Sequence, residues 1–255
     1  MSWQTILFLF AAGAVGGVLN AVAGGGSFIA FPALLFSGVA PVQANATNTL
    51  ALWAGTTASG GAYRKRLDVA RRIMAPLVIA SIVGGVLGAV LLLRTPAPTF
   101  MRVLPWLMLA AVALFLVGDR VAGLHSGHLT RSTSGGALVL ACLFELVVAV
   151  YGGYFGGGLG IMNLAMLAVL GMTDIHAMNA LKVVLGSVIN GVATVTFIAS
   201  RSIAWPQAIV TTAGAVLGGF LAAHYAQRLP KSWSRAFVIV VGVAMTAYFF
   251  VKAYA

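Results

Sequence analysis

The segment GGGSFIAFPALLF, residues 24–36, places three glycines directly before a short apolar run, and Asn45-Ala46-Thr47-Asn48 opens the next apolar run. The chain repeats this arrangement once. Gly156-Gly157-Gly158 precede the apolar run from Ile161 to Leu170, and Asn179-Ala180-Leu181-Lys182 open the following one. The copies lie 132 residues apart at the glycines and 134 at the Asn-Ala pairs. Duplicated halves with glycine-broken hydrophobic segments at matching positions indicate a membrane transporter with its site near the bilayer midplane.

The composition places the chain in a membrane. Hydrophobic residues make up 61% of it and charged residues 7%, whereas an ordinary soluble domain is about 25% charged. Several of the apolar segments reach about 20 residues, which is enough for a helix to cross the roughly 30 Å hydrocarbon core. The strict alternation of a transmembrane barrel is absent from the sequence. The predicted fold class is therefore an all-α polytopic membrane protein.

The repeat predicts one transmembrane domain over residues 1–255, with repeat 1 at about 4–118, a cytoplasmic connecting loop at about 119–134 and repeat 2 at about 135–255. The short segments 28–36 and 161–170 leave the number of crossings open. If each crosses or re-enters separately, there are ten segments and the halves are inverted. If each joins its predecessor as one broken span, there are eight spans and the halves are parallel. We favour inverted halves.

Most of the 15 basic residues behind the net charge of +11 lie in three loops. If all ten segments cross the membrane, ten basic residues lie on one side of it and four lie on the other. The four are Arg94, Arg102, Arg201 and Lys252. The ten are Arg64, Lys65, Arg66, Arg71, Arg72, Arg120, Arg131, Arg228, Lys231 and Arg235. Eight crossings weaken the bias to nine against five. By the positive-inside rule, the ten-to-four bias places these loops in the cytoplasm and both termini outside. We interpret the charge as an orientation signal in a lipid bilayer and expect no nucleic-acid partner.

The two glycine triplets predict an anion site. Glycine destabilises a helix, and the helix that resumes after each triplet begins with unpaired N–H groups and the positive end of its dipole. Close helix packing is the alternative explanation, and it is the better one for Gly84 with Gly88 and for similarly spaced pairs. We predict that both triplets line the substrate site, together with Ser27, which is a plausible helix cap.

Polar residues in the segments after the breaks extend the predicted site. A cap at the start of a helix would explain Asn45. It would not explain Asn48, one turn further on, which corresponds to Lys182 in the second copy. Lys182, Gly186 and Asn190 share one helix face, and a lysine inside a span indicates function unless it snorkels to the interface. The predicted substrate-contacting polar residues are Asn45, Thr47, Asn48, Thr49, Asn179, Lys182 and Asn190.

Glu145 is the acidic residue that lies well inside an apolar segment. The chain has four Asp and Glu residues in all, and this scarcity favours an anionic over a cationic substrate. Glu145 has two interpretations: a buried charge pair with Lys182, which we favour slightly, or a proton-coupling group. One cysteine and four scattered histidines give no basis for a metal site, and we expect no cofactor.

Two stretches of the chain resemble the sulfite exporter TauE/SafE family of membrane permeases. In the first half, the resemblance rests on Gly24 to Ile29, Pro32 to Leu35 and Ala44 to Thr49. In the second half, it rests on Tyr154 to Gly160 and Asn179 to Lys182. The resemblance covers nearly the whole chain. It implies a multi-pass carrier of a bacterial or archaeal inner membrane, with about eight spans by the usual count, for sulfur-containing anions such as sulfite, thiosulfate or organosulfonates.

The predicted function is a secondary transporter for a small anion, working by alternating access between the two halves. A passive anion channel and a carrier for a non-sulfur organic anion are the alternatives. We do not predict an enzyme, because no nucleophile with a positioned base and no metal with a water is visible in the sequence. The small anion and the bilayer are the expected partners, and a homo-oligomer stays open.

Overall fold

A computed structural model describes residues 1–22, 24–60, 71–122, 135–169, 172, 175–225 and 231–254. Every regular element of secondary structure in these residues is a helix. The helices are α1 (Trp3–Val22), α2 (Ser27–Phe36), α3 (Pro41–Gly60), α4 (Arg71–Arg94), α5 (Ala97–Ala122), α6 (Gly135–Tyr154), α7 (Leu159–Val169), α8 (Ile175–Ala199), α9 (Trp205–Tyr225) and α10 (Lys231–Tyr254). The prediction of an all-α polytopic membrane protein is confirmed.

Seven of the described helices are long and apolar enough to cross a membrane, and α3 is not among them although it has 20 residues. Its polar residues Asn45, Thr47, Asn48 and Thr49 lower its hydropathy, yet each is at most 5% exposed. α3 packs against α1, α2, α8 and α9. Neighbouring helices therefore shield these polar groups, which only a buried helix can carry at membrane depth.

Helices α1 and α9 run in the same direction and pack backbone to backbone. Gly13 lies against the backbone of Thr211, and Gly17, one turn later, lies against Ala215. A side chain at either glycine would overlap a carbonyl oxygen of α9, so glycine is what permits this close approach.

Helix α3 runs parallel to α1 and α9 and completes a first bundle. Thr47 accepts a hydrogen bond of 3.1 Å from the backbone N–H of Ala204, at the start of α9. Two turns later, Gly55 lies against Ala215. We call α1, α3 and α9 the first bundle.

Helices α4, α6 and α8 form the matching second bundle. Ser81 contacts Glu145 and Gly88 lies against Gly153, so α4 and α6 are parallel. α8 follows the same direction and packs on both. Because α8 and α9 are joined by residues 200–204 alone, they must run in opposite directions. The second bundle is therefore antiparallel to the first.

The two bundles exchange one helix between the repeats. α4 belongs to repeat 1 but packs with α6 and α8, whereas α9 belongs to repeat 2 but packs with α1 and α3. The bundles meet through α3 and α8, where the Trp53 ring lies over Gly191. α5 and α10 pack on each other in opposite directions, because Trp106 reaches Tyr254 and Gly242 lies against Val112.

The short helices α2 and α7 are half-helices that turn back from the middle of the bundles. α2 has 10 residues, or about 15 Å, which is about half of the hydrocarbon core. It begins beside Gly16 in the middle of α1 and ends with Phe36 against Tyr248, near the end of α10. α7 takes the corresponding place on α5, α6 and α8. Each short segment is thus a re-entrant helix.

This path decides the direction of the halves. α1 and α6 run in opposite directions, so the repeats are inverted as favoured from the sequence, and the alternative that joined each short segment to its predecessor is wrong. Both termini lie at one end of the helices, and the ends that flank 61–70, 123–134 and 226–230 lie at the other. Arg71 begins α4 at that second end, and α5 extends to Ala122, past the predicted start of the connecting loop.

Candidate functional site

The two glycine triplets combine unusual backbone conformation with close packing. Gly24, Gly156 and Gly158 have φ values of +80°, +76° and +78°. Residues other than glycine rarely adopt this backbone conformation. Gly26 has ordinary helical φ and is required for another reason, since a side chain there would overlap the carbonyl oxygen of Gly16. Gly25 likewise packs under Val238. The alternative of close packing therefore applies to part of the first triplet.

The breaks of the two repeats meet each other. A Cβ atom at Gly24 would lie 3.5 Å from the Cα of Gly160, and a Cβ at Gly160 would lie 3.4 Å from the Cδ of Lys182. Gly24 lies just before α2, and Gly160 is the second residue of α7. The amino ends of the two half-helices and the lysine side chain are thus neighbours at mid-depth of the bundles.

Asn48 joins the first half-helix to α3. Its Nδ2 donates a 3.1 Å hydrogen bond to the Oγ of Ser27, the first residue of α2. α2 has Gly26 at its N-cap position and no side-chain cap, so Ser27 does not act as the predicted cap. Because the Ser27 oxygen accepts from Asn48, its own hydroxyl proton is available to a ligand. The Oδ1 of Asn48 is buried and has no hydrogen-bond partner among the described residues.

Asn45 connects the repeats instead of capping α3. The helix begins at Pro41, one turn before Asn45, so the predicted cap is wrong. The Nδ2 of Asn45 donates a 2.9 Å hydrogen bond to the carbonyl oxygen of Tyr154, the last residue of α6. Thr49 donates to the Asn45 backbone carbonyl one turn back, and Thr47 contacts α9. These three residues hold the frame of the site.

The face of α8 that carries Lys182, Gly186 and Asn190 borders open space. A Cβ atom at Gly186 would meet nothing within 4 Å, although the residue lies in the middle of a 25-residue helix. Asn190 Oδ1 lies 3.7 Å from the Cβ position of Gly156, beside the second break. The three residues therefore share the predicted face, with Lys182 beside Gly160, Asn190 beside Gly156 and open space at Gly186 between them. Asn179 lies one turn inside α8, in the position that corresponds to Asn45.

Glu145 lies outside this cluster, at the contact of α6 with α4. It is fully buried, and its Oε1 accepts a hydrogen bond from the Ser81 hydroxyl. The other oxygen, Oε2, has no hydrogen-bond partner in the described part of the chain. The hydrogen bond that Glu145 accepts thus comes from Ser81 on α4, and the charge pair with Lys182 stays a prediction.

Ser81 and Asn163 are two of the buried polar residues that were not selected from the sequence. Ser81 lies on α4 in an apolar run, and Asn163 lies on α7 with both amide atoms buried and unpartnered among the described residues. Asn163 interrupts the short apolar run after the second glycine triplet. A polar residue at that depth is itself an indicator of function, and its sequence position would have been enough to include it.

Comparison with known proteins agrees with this architecture. A "Probable membrane transporter protein" of Haemophilus influenzae is 30% identical over 243 residues, covering 95% of this chain and 93% of that protein. "Probable membrane transporter protein ORF9" of a Sinorhizobium species is 25% identical over 96% of this chain and 92% of its own length. "Probable membrane transporter protein YfcA" of Escherichia coli K12 is 25% identical over 94% and 87%.

No solved structure matches the chain. The sequence pattern of the family described as "Sulfite exporter TauE/SafE" matches residues 9–249, which includes both repeats and both half-helices. With the inverted repeats and the relatives above, this match identifies the chain as a member of the sulfite exporter TauE/SafE family.

Proposed function

We propose that this membrane transporter is a secondary carrier for a small anion, and that the anion binds where the two half-helices meet. The observation that carries the proposal is the contact of Gly24 with Gly160 and of Gly160 with Lys182. It places the positive ends of two helix dipoles and an ammonium-bearing side chain beside one point. Each of these features favours negative charge.

Hydrogen-bond donors for the anion come from both repeats. Ser27 offers a hydroxyl proton at the start of α2. The N–H groups of Phe28 and Ile29 already donate to carbonyl oxygens of the first break, so the amino ends of the half-helices contribute mainly through their dipoles. Lys182 supplies the charge from α8. The match to the TauE/SafE family supports a sulfur-containing anion, of which sulfite, thiosulfate and organosulfonates are the class we propose.

The arrangement of the bundles supports alternating access. The site lies between α2 and α3 on one side and α7 and α8 on the other, and the two bundles contact each other chiefly through α3 and α8. A tilt of one bundle against the other at this contact opens the site to one side at a time. The moving bodies that we propose are therefore the first and second bundles, which exchange α4 and α9, and not the two halves as they follow each other in sequence.

We further propose that the chain resides in a bacterial or archaeal inner membrane with its basic helix ends in the cytoplasm. The charge bias and the common side of those ends support this orientation. A cysteine at Leu67, with Cys142 removed, should react with an impermeant thiol reagent after permeabilisation only, whereas a cysteine at Ser2 should react in intact cells. The reverse labelling pattern would contradict the orientation.

Ligand screening and counterflow test the function. A thermal-shift screen of the purified protein against sulfite, thiosulfate, sulfate, sulfoacetate, taurine and carboxylates should show stabilisation by one or more sulfur anions, because a ligand of the folded state raises its stability. In proteoliposomes, internal unlabelled anion should accelerate the entry of labelled anion. A passive channel would show no such acceleration, and stabilisation by carboxylates alone would favour the non-sulfur carrier.

A further inference from the structure

A layer of three buried polar side chains lies across α4, α6 and α7, about one turn of α7 from the anion site. Ser81 on α4, Glu145 on α6 and Asn163 on α7 are each 0% exposed. The layer lies close to the centre of its helices: Glu145 is the eleventh residue of the 20-residue helix α6. Polar and ionisable groups at this depth are costly and are by default functional.

The apolar clusters on either side show that these residues lie at one level. On one side of the layer, the residue one helical turn away on each of the three helices belongs to a single apolar cluster. These residues are Leu77 on α4, Ala141 on α6 and Leu167 on α7. On the opposite side of the layer, one turn away, Ala149 on α6 and Leu159 on α7 belong to a second apolar cluster, together with Ile189 of α8. The polar layer is therefore enclosed between two apolar clusters built from the same helices.

Three atoms of the layer are without hydrogen-bond partners in the described part of the chain: Glu145 Oε2, Asn163 Oδ1 and Asn163 Nδ2. Buried polar groups in native proteins are nearly always paired, and an unpaired one costs its full desolvation penalty. A fully buried amide group with neither end hydrogen-bonded, at the same level as a carboxyl group with one unbonded oxygen, therefore points to a ligand between them. Oxygen atoms predominate in the layer, which suits a small cation.

The charge of Glu145 points to the same ligand. Burying an ionised carboxylate with one hydroxyl donor is strongly unfavourable unless a positive charge accompanies it. On α4 the arginines stand at the helix ends, nine or more residues from Ser81, and α7 carries no titratable residue. The remaining titratable groups on the packed elements are Cys142, Tyr151 and Tyr154 on α6, and His176 and Lys182 on α8, of which Lys182 lies along Gly160.

We propose that Ser81, Glu145 and Asn163 form a second site that takes up one positive charge, either a proton on Glu145 Oε2 or a sodium ion held between the oxygens of Glu145 and Asn163. Resting on the proposed function, we assign this charge as the coupling ion of anion transport. Proton uptake converts the Glu145 carboxylate to the neutral acid, and sodium neutralises it without proton transfer. Asn163 lies three residues, about 4.5 Å of helical rise, from Gly160 at the anion site, so α7 connects the two sites.

The binding test compares wild type with Glu145→Gln, which keeps the shape of the side chain and removes its charge. If sodium binds, the melting temperature of the wild type rises on the order of 5 °C when NaCl replaces choline chloride at equal ionic strength, and Glu145→Gln shows no rise. If a proton binds, the folded state takes up more protons than the unfolded state, so the melting temperature rises as pH falls in sodium-free buffer. Glu145→Gln again loses this response.

Two further variants make the assignment specific. Asn163→Leu should abolish the sodium response and preserve most of the proton response, because only sodium needs the amide oxygen. Thr246→Val removes a buried hydroxyl on α10, outside the layer, and should preserve either response. Identical responses of wild type and Glu145→Gln to both sodium and pH would overturn the site. A protein that responds to the cation but is stabilised by no anion in the screen would refute the proposed function alone.

Coupling is tested in proteoliposomes with radiolabelled sulfite. Glu145→Gln should retain counterflow, which needs no net ion movement, and should lose accumulation driven by a sodium gradient or a pH gradient applied separately. The gradient that drives the wild type identifies the ion. Accumulation by Glu145→Gln at the wild-type level would overturn the assignment of a coupling role.

Discussion

The α1–α9 crossing and the α4–α6 crossing occupy matching places in the two bundles, and each brings two parallel backbones into contact through glycine. In the first, Gly13 and Gly17 lie directly against α9. In the second, Gly88 of α4 lies against α6. At the position of Gly13, displaced by 132 residues, the second crossing carries Glu145 with its hydrogen bond from Ser81.

The presence of Glu145 where the first crossing has Gly13 gives the two crossings, which began as copies of each other, different roles. The first crossing keeps small residues, so its contribution is backbone packing that joins α9 to repeat 1. The second has the same backbone contact but accommodates a buried carboxyl group as well. A similar divergence separates Asn48 from Lys182, since the first copy supplies an amide and the second a charge. Duplication therefore preserved the frame, while the second bundle carries the ionisable side chains Glu145 and Lys182 at positions where the first has Gly13 and Asn48.

Leucine substitution at one close-packing glycine of each crossing should have the largest effect. Gly17→Leu and Gly153→Leu each place a side chain into a carbonyl oxygen of the facing helix, at Ala215 and Gly85 respectively. We expect each to lower the free energy of unfolding by about 3 kcal/mol or more and to reduce the yield of monodisperse protein. Size-exclusion chromatography and thermal unfolding measure this. Gly135→Leu, where nothing lies within 4 Å, is the control, and equal losses there would disprove the packing role.

Cross-linking the bundles should abolish transport without unfolding the protein. Cysteines at Trp53 and Gly191 join α3 to α8 across the contact between the bundles, so a short bifunctional thiol reagent should block counterflow. Cysteines at Asn20 and Thr56, whose side chains are hydrogen-bonded within the first bundle, should leave it largely intact when linked. Both pairs are made with Cys142 removed. Full counterflow in the linked Trp53–Gly191 pair would contradict relative motion of the bundles.

The third prediction compares Asn48 with Lys182. Lys182→Ala should weaken anion binding about tenfold or more, equivalent to about 1.4 kcal/mol, because a charge-assisted contact is lost. Asn48→Ala should weaken it less, about threefold, since it acts through Ser27. Binding is measured by titration of the anion found in the screen. Lys252→Ala, at the end of α10, is the control for loss of a lysine, and unchanged affinity in Lys182→Ala would remove this residue from the site.

Alanine at Gly186 should have the smallest effect on folding. Its added methyl group meets nothing within 4 Å, so the free energy of unfolding should change by no more than about 0.5 kcal/mol. The methyl group does narrow the space beside Lys182, so affinity should fall for the bulkier sulfonates before it falls for sulfite. A large drop in thermal stability would show that α8 packs more tightly at this position than the structure indicates.

The fold was largely predictable because membrane insertion imposes simple rules. Apolar length identified the helices, and the duplicated glycine triplets correctly marked the re-entrant segments. Sequence could not decide the direction of the halves with certainty, since a short apolar run after a break has the same composition whether it continues its helix or turns back. The positive φ of Gly24 and Gly156, with the contact of α2 against the middle of α1, settles that question.

The candidate site divides in the same way. Asn48, Lys182 and the triplets were selectable from their matched positions, and the structure brings them to one place. The capping role of Asn45 was wrong because α3 begins one turn earlier, at Pro41, than the polar residues suggest. Ser81 was not distinguishable in sequence from an ordinary small residue of a span. Its importance arises from the facing carboxyl group on a helix 64 residues away.

The sequence by itself determined a membrane-embedded helical protein with two matched broken segments, because burial of the backbone and length of apolar runs are local properties. Tertiary structure alone decided that α4 and α9 change places between the repeats, that Gly24 meets Gly160, and that Glu145 faces Ser81. These contacts depend on which helix faces approach each other. Small residues on many faces permit close packing, and the selection among them results from the simultaneous packing of all the helices.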